Sequence, residues 1–199
     1  MDYLSIYKRL FSISQAGLQY GQDAFDNQRY QELYDLSLQL LEKLGNEPTE
    51  VIQELFKNEV GYQTPKVDVR AWIKENDKIL LVEDAKTKEW SLPGGYADIG
   101  FSPLENVEKE VWEETGLTVR TNKLKAVFDT NLRKDIPQAF QYYKLVFDCE
   151  ILEGAFIDNL ETSQAAFFSL SNLPKLSEKR TTEKQLHILC KDTKSCYFE

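Results

Sequence analysis

The stretch from Trp90 to Leu117, WSLPGGYADIGFSPLENVEKEVWEETGL, decides the fold of this chain. It contains the end of a strand, a double glycine and a segment with helical spacing. Four residues mark the ends of that helix: Ser102 at the N-cap, Pro103 at the first helical position, Glu105 in an S-x-x-E capping box and Gly116 at a left-handed C-cap. The stretch therefore predicts a helix over residues 103–115.

The predicted helix carries three acids on one arc. Because each residue turns the helix by about 100°, Glu110, Glu113 and Glu114 lie together. The neighbouring stripe is expected to pack, and it consists of Leu104, Val107, Val111 and Thr115. Like charges at this spacing weaken a helix, whereas a hard cation such as Mg²⁺ prefers oxygen ligands and often bridges carboxylates to phosphates.

The alternative is an acidic helix face that is exposed to solvent and binds nothing. The double glycine Gly94-Gly95 argues against it, because a backbone without side chains can approach a ligand closely. Such a loop, leading into a capped helix N-terminus, also favours anions. Acids beside an anion-tolerant loop indicate a site for a metal and a phosphate.

This stretch resembles the signature of the Nudix hydrolases, G-x5-E-x7-R-E-U-x-E-E-x-G-U, in which U is a bulky aliphatic residue. Laid on the chain, the pattern begins at Gly95, and the matching residues that follow are Glu110, Val111, Glu113, Glu114, Gly116 and Leu117. Two positions depart from it. Phe101 stands where the first Glu is expected and Lys109 where the Arg is expected, although Lys109 can still pair with Glu113.

The resemblance implies an α+β fold, the Nudix α/β/α sandwich with a mixed sheet, preceded by a small all-helical N-terminal domain. It also implies Mg²⁺ or Mn²⁺ ions held by Glu110, Glu113 and Glu114, with the carbonyl of Gly95 as a further ligand. The expected reaction is metal-dependent hydrolysis of a diphosphate linkage in a nucleoside diphosphate derivative. Because the three helix acids are retained, an active pyrophosphatase is expected.

Residues 1–62 have helical periodicity. Apolar side chains recur in two runs, Tyr3 to Ile13 and Tyr30 to Leu44, and a third short helix is expected near 49–59. Gly17, Gly21 and Gly45 are expected to interrupt the helices. Such helices can pack as a small bundle, serve as a dimerisation element or cover a substrate.

The segments ISQAGLQYG and FDNQRYQEL resemble the N-terminal helical domain of one Nudix branch. That branch includes CDP-choline and ADP-ribose pyrophosphatases. The resemblance implies a helical domain over residues 1–62, a Nudix domain over 66–199 and a homodimer.

The alternating segment KVDVRAWIK, beginning at Lys66, predicts a strand that a turn at Asn76-Asp77 joins to a second strand. Arg70 and Trp72 fall on one face of the first strand. One interpretation is an exposed sheet face with a structural ion pair. The other assigns both residues to substrate binding, with Arg70 on phosphate and Trp72 stacked on a base.

The second half of the chain predicts strands near 118–130 and 141–152 and a helix over about 178–192. Arg133, Lys134 and Lys144 are candidates for a basic rim, or simply surface cations. Nudix enzymes generally recruit one more carboxylate beyond the signature. In the segment ETSQAAFFSLSNLPKLS, which resembles the corresponding part of the same branch, Glu161 is the candidate base or metal ligand.

The composition of the chain limits the kinds of binding partner and the cellular location that are expected. A net charge of −9 and a pI near 4.8 argue against a broad DNA-binding or anionic-membrane surface. No signal peptide or membrane span is expected, and the three cysteines form no C-x-x-C pair, which together indicate the cytoplasm.

Two other functions remain open from the sequence. A pyrophosphatase that removes damaged nucleoside triphosphates would use the same acids, and a non-catalytic nucleotide-binding regulator would use the same fold. A diphosphate-bearing RNA end is a weaker alternative. The helical N-terminal region favours nucleotide sugars or alcohols, and the three retained acids favour catalysis.

Overall fold

The computed structural model describes residues 3–45, 61–133, 135–136, 138, 140–191 and 195–199. The chain divides into two compact units. The first comprises Met1–Lys66 together with Thr130–Tyr142, and the second comprises Val67–Asp129 and Tyr143–Glu199. The helix expected near 49–59 lies outside the described residues. Within them, no helix is long and apolar enough to cross a bilayer.

The described part of the first unit contains helices α1 (Tyr3–Tyr20) and α2 (Ala24–Gly45). Phe11 of α1 is buried with Leu38 and Leu41 of α2. Gly17, expected to interrupt a helix, lies inside α1. A Cβ at this position would lie 2.3 Å from the Tyr30 ring, so the glycine serves close packing between the two helices.

Among the described residues, seven strands form one mixed sheet in the order β3-β2-β1-β5-β4-β7, with β6 paired to β2. The strands are β1 (Lys66–Glu75), β2 (Lys78–Asp84), β3 (Trp90–Ser91), β4 (Leu117–Asp129), β5 (Tyr142–Gly154), β6 (Thr162–Ser169) and β7 (Tyr197–Phe198). The β4–β7 pair is parallel, whereas β2 is antiparallel to β1, β3 and β6. Asn76 and Asp77 both have positive φ, as a tight turn between β1 and β2 requires.

Helices α3 (Pro103–Thr115) and α4 (Glu183–Cys190) pack on the sheet through separate clusters. Val107 and Val111 of α3 share one cluster with Val69, Ala71 and Ile73 of β1. The side chains of Leu186 and Leu189 from α4 share the other with Trp72. Because β1 alternates its side chains between the two clusters, the expected α/β/α sandwich is confirmed. Helix α4 is shorter than predicted because Thr182 caps it in a capping box with Gln185.

Helix α3 has the predicted bounds and caps. The Ser102 side chain accepts a hydrogen bond from the Glu105 amide, Glu105 accepts one from the Ser102 amide, and Gly116 ends the helix at φ 74°. The expected packing stripe is correct except at Leu104, which is exposed. Asn106 is buried instead, because its side chain bonds the backbone of the loop before the helix.

Gly116 generates a prediction about stability. Its φ lies in the left-handed region, and a Cβ would lie 2.6 Å from the Ala155 carbonyl oxygen. We expect Gly116→Ala to lower the free energy of unfolding by about 2 kcal/mol or more, because backbone strain adds to this overlap. Gly100→Ala is the matched control, since Gly100 has φ +96° but no atom within 4 Å of the point where a Cβ would lie. If urea denaturation shows equal losses of unfolding free energy in Gly116→Ala and Gly100→Ala, the overlap with Ala155 makes no contribution.

Candidate active site

The loop of Gly94 and Gly95 lies between strand β1 and helix α3. Val69 donates its amide to the Gly95 carbonyl oxygen at 2.8 Å, and Ala71 donates to the Pro93 carbonyl oxygen at 2.9 Å. A Cβ on Gly94 would lie 2.1 Å from the Val69 carbonyl oxygen, and the φ of Gly94 is +132°. Only glycine allows this approach, so the loop is fixed along the strand.

Two helix acids are held against this loop. The Gly94 amide donates to Oε2 of Glu114 at 2.7 Å. Oε2 of Glu110 lies 2.5 Å from the point where a Cβ on Gly95 would be, so a larger residue would displace that carboxylate. The Gly95 carbonyl oxygen accepts from Val69 and keeps a second lone pair, so the metal-ligand role expected for it stays a prediction.

Burial makes both carboxylates costly to ionise. It raises the pKa of Glu114 to about 7, against the opposing effects of the Arg70 charge and the Gly94 amide. Burial likewise raises the pKa of Glu110, and the charges of Glu113 and Glu161 raise it further, whereas Lys109 and Arg70 lower it. A cation placed among these oxygens would reverse the repulsion, which is the chemistry expected of a metal site.

The third helix acid, Glu113, is more exposed and pairs with a lysine. Nζ of Lys109 lies 2.9 Å from Oε2 of Glu113 and 3.1 Å from Oδ2 of Asp98. The hydrogen bond to Glu113 raises the pKa of Lys109 most, and the hydrogen bond to Asp98 raises it further. Within the part of the chain that the structure describes, no three His, Cys, Asp or Glu side chains form a ready metal cage. The carboxylates of buried Glu114 and half-buried Glu110 nevertheless fit Mg²⁺, which keeps several waters and is commonly bound by one or two carboxylates together with substrate phosphates.

Glu161 lies in the connection between β5 and β6 and is exposed. Its negative charge is close enough to raise the pKa of Glu110. Its carbonyl oxygen accepts from the Ala85 amide at 2.8 Å, and its amide donates to the Asn159 side chain at 3.0 Å. The structure therefore brings Glu161 near the helix acids, and its catalytic role stays a prediction.

Arg70 forms a buried ion pair and is 4% exposed. Its Nε and Nη2 donate to the two carboxylate oxygens of Asp68 at 2.7 and 3.0 Å, and its Nη1 donates to the Leu92 carbonyl oxygen. Burial alone would raise the pKa of Asp68, but the charges of Arg70 and Lys144 hold that pKa below its usual value. The geometry supports the structural interpretation of Arg70, behind Glu114, over a direct phosphate contact.

Trp72 is 2% exposed and packs in the cluster under α4, with Nζ of Lys125 5.7 Å from its ring centroid. It offers no free ring face for a base. The expectation of an exposed face on β1 is wrong because α4 and its neighbours cover that face. Lys144, a candidate for a basic rim, is also buried, 3.9 Å from Asp68. Arg133 pairs with Asp135, and Lys134 lies outside the described residues.

The arrangement of this loop, helix and sheet agrees with comparison to known proteins. Residues 64–189 match the NUDIX domain family, and residues 1–56 match a family described as a UDP-X-like, N-terminal oligomerisation domain. The chain belongs to the Nudix hydrolase family. The expectation of a Nudix pyrophosphatase, from a branch with an N-terminal helical domain, is thereby confirmed.

Two relatives of this Nudix hydrolase extend over nearly the whole chain, and a third matches about two thirds of it. The Bacillus subtilis (strain 168) protein YjhB, provisionally named an ADP-ribose pyrophosphatase, is 41% identical over 187 residues, or 94% of this chain and 90% of that protein. A crystal structure of a UDP-X diphosphatase is 38% identical with TM-score 0.65, covering 100% of this chain and 98% of the other. An ADP-ribose pyrophosphatase structure from Streptococcus suis 89-1591 is 37% identical with TM-score 0.62, over 68% of this chain and 100% of that one.

The two residues of this Nudix hydrolase that depart from the signature, Phe101 and Lys109, lie near a third residue, Asp98. Phe101, at the position of the first signature Glu, is half exposed in the loop before α3. Asp98, three residues earlier in the same loop, supplies the carboxylate that pairs with Lys109. Sequence reasoning missed Asp98, and its only sequence signal was an acid within the signature's five-residue gap.

Asp68 generates a second stability prediction. We expect Asp68→Asn to lower the free energy of unfolding at neutral pH by about 3–5 kcal/mol, because Arg70 and Lys144 would lose their buried counter-charge. The folded-state pKa of Asp68 lies below its unfolded value, so its contribution is complete at neutral pH. That contribution is lost only as the pH falls below about 4, and the two proteins should then converge.

Urea denaturation at several pH values tests this expectation. Asp77→Asn is the matched control, because Asp77 pairs with Lys74 while its side chain is 94% exposed. It should leave the denaturation midpoint unchanged. An Asp68→Asn protein as stable as the control at neutral pH would show that the buried pair is dispensable.

Proposed function

We propose that this Nudix hydrolase carries out metal-dependent hydrolysis of the diphosphate linkage in nucleoside diphosphate derivatives, with ADP-ribose and UDP-linked compounds as the foremost substrates. The observation that carries the proposal is the pair of carboxylates, buried Glu114 and half-buried Glu110, held against the backbone of Gly94 and Gly95. The names of the relatives from Bacillus subtilis and Streptococcus suis and of the UDP-X diphosphatase support this substrate class. CDP-choline belongs to the same chemical class.

Glu110 and Glu114 would hold Mg²⁺ or Mn²⁺, with the Gly95 carbonyl and Glu113 as further ligands. Glu113 could exchange its ion pair with Lys109 for a metal ion, because that pair is partly exposed. The bound metal would neutralise phosphate charge and lower the pKa of the attacking water. The double glycine contributes by leaving space for the diphosphate beside the helix acids.

We assign to Glu161 the acceptance of a proton from the attacking water, or a further contact to the metal. Its support is the proximity of its charge to Glu110. Arg70 and Trp72, both buried, are given structural roles. Arg70 supplies positive charge behind Glu114 without reaching the substrate.

The protein is further proposed to act as a homodimer in the cytoplasm. The match of residues 1–56 to an oligomerisation domain supports the dimer, and the sequence composition supports the location. Sedimentation equilibrium should return twice the 23.1 kDa chain mass. A single-chain mass at micromolar concentration would exclude the dimer.

A substrate panel tests the proposed reaction. Purified protein with Mg²⁺ is given ADP-ribose, UDP-linked sugars, CDP-choline and oxidised nucleoside triphosphates, and the products are identified by mass spectrometry. We expect hydrolysis of the diphosphate bond in one of the first three classes, yielding a nucleoside monophosphate. Preference for oxidised triphosphates would favour the sanitising alternative, and tight binding without turnover would favour a regulator.

The helix acids should control both turnover and cation affinity. Glu114→Gln should lower kcat by about 100-fold or more, because it removes negative charge with little change in volume. Because the pKa of Glu114 is about 7 in the metal-free protein, a proton competes with the cation at acidic pH. Mn²⁺ affinity, measured by electron paramagnetic resonance, should therefore rise between about pH 6 and 8 in the wild type, and less steeply in Glu114→Gln.

The control for this measurement is Glu183→Gln, which neutralises an exposed acid on α4. It should retain the wild-type rate and affinity. Wild-type turnover and an unchanged pH dependence in Glu114→Gln would remove Glu114 from the metal site.

A further inference from the structure

The connection between β5 and β6, residues 155–161, contains the proposed fourth acid but has no regular secondary structure. Glu161 at its end is exposed, and Leu160 beside it is 95% exposed. A carboxylate on such a segment would occupy many positions unless the backbone were fixed. Catalysis by positioned groups needs one position, because small displacements cost large factors in rate.

One side chain in this connection bonds to both sides of the site. Oδ1 of Asn159 accepts from the Glu161 amide at 3.0 Å and from the Thr162 amide at 2.7 Å. Its Nδ2 donates to the Glu114 carbonyl oxygen at 2.9 Å and to the Ile157 carbonyl oxygen at 3.2 Å. The amide group thus joins the backbone of the fourth acid to the backbone of the last helix acid.

The two acids that Asn159 connects are each held by other bonds. Glu114 also binds the double glycine, because its side chain accepts from the Gly94 amide. The Glu161 carbonyl oxygen is held on its other side by the Ala85 amide. The Ile157 amide also bonds the Thr115 carbonyl oxygen of α3, at 3.3 Å, but Asn159 supplies the side-chain link from α3 to the Glu161 backbone itself.

We propose that Asn159 is a positioning residue, which ties the β5–β6 connection to the end of α3 so that Glu161 faces Glu110. The inference rests on the proposed function of Glu161. Asn159 itself acts through hydrogen bonds to backbone atoms and does not contact the substrate. The competing role is a plain helix cap, since the last carbonyls of a helix need donors from outside it.

Steady-state kinetics of five variants, Glu161→Gln alone among them, separate these roles. In Asn159→Ala we expect kcat to fall about 10- to 100-fold, as for other residues that orient catalytic groups, while KM changes by less than about threefold. Asn159→Ser should lose a similar factor, because its hydroxyl can still accept from the following amides but is too short to reach Glu114. In a protein that already carries Glu161→Gln, Asn159→Ala should lower kcat by a further factor of less than about two, because the acid that Asn159 positions is already disabled. Asn172→Ala, an exposed asparagine in the turn after β6, should match the wild type.

Hydrogen exchange of the metal-free proteins gives a readout that does not depend on activity. We expect Asn159→Ala to speed exchange at the amides of Glu161 and Thr162, with α3 remaining protected. Faster exchange throughout α3, with a lower melting temperature, would overturn the proposal in favour of the helix cap. A wild-type kcat in Asn159→Ala or Asn159→Ser, or equal losses in both Glu161 backgrounds, would also overturn it.

The same experiments distinguish failure of the inference from failure of the proposed function. A wild-type protein that hydrolyses no member of the substrate panel refutes the function, while the exchange measurement still decides whether Asn159 fixes the connection. Hydrolysis that survives Asn159→Ala but not Glu161→Gln refutes the positioning role alone. Hydrolysis that survives Glu161→Gln at the wild-type rate refutes the role of Glu161, and with it that of Asn159.

Discussion

The close approach of the Gly94–Gly95 backbone to strand β1 and helix α3 is the constraint on which the site depends. The Gly95 carbonyl accepts from β1, while the Gly94 amide donates to Glu114 of α3. A side chain on either glycine would collide with the strand or with Glu110. Seating the loop in this way holds two carboxylates beside its backbone, where burial makes each one harder to ionise, although the Gly94 amide opposes this effect at Glu114.

That arrangement stores unfavourable electrostatic energy in the metal-free protein. Burial is the main cause of the raised pKa of both acids; the charge of Glu110 adds to the rise at Glu114, and the charges of Glu113 and Glu161 add to the rise at Glu110. Positive charge from Arg70 offsets part of the repulsion, and Arg70 is itself neutralised by Asp68. The buried pair thus supports the acids from behind the sheet. A divalent cation would complete this compensation, and it would account for a helix that carries acids at a spacing that weakens it.

Much of the fold followed from short-range signals. The caps and bounds of α3 were predicted because the capping box and the C-terminal glycine act within a few residues of the helix ends. The β1–β2 turn follows from local signals in the same way. So do the apolar stripe of α3 and the face of β1 that carries Val69, Ala71 and Ile73. Thr130–Tyr142 was not expected to join the N-terminal helices in one compact unit, because no local pattern reports contacts between segments so distant in the chain.

The sequence by itself determined the helix, its row of acids, the double glycine and the family, because all of these lie within one continuous stretch. Tertiary structure alone decided that both faces of β1 were covered, and this buried Arg70 and Trp72. It also decided that Asp98 pairs with Lys109 and that Asn159 connects Glu161 to α3. The physical reason is that burial and hydrogen bonding between distant segments depend on how layers pack, and residue spacing along one strand carries no record of what lies above it.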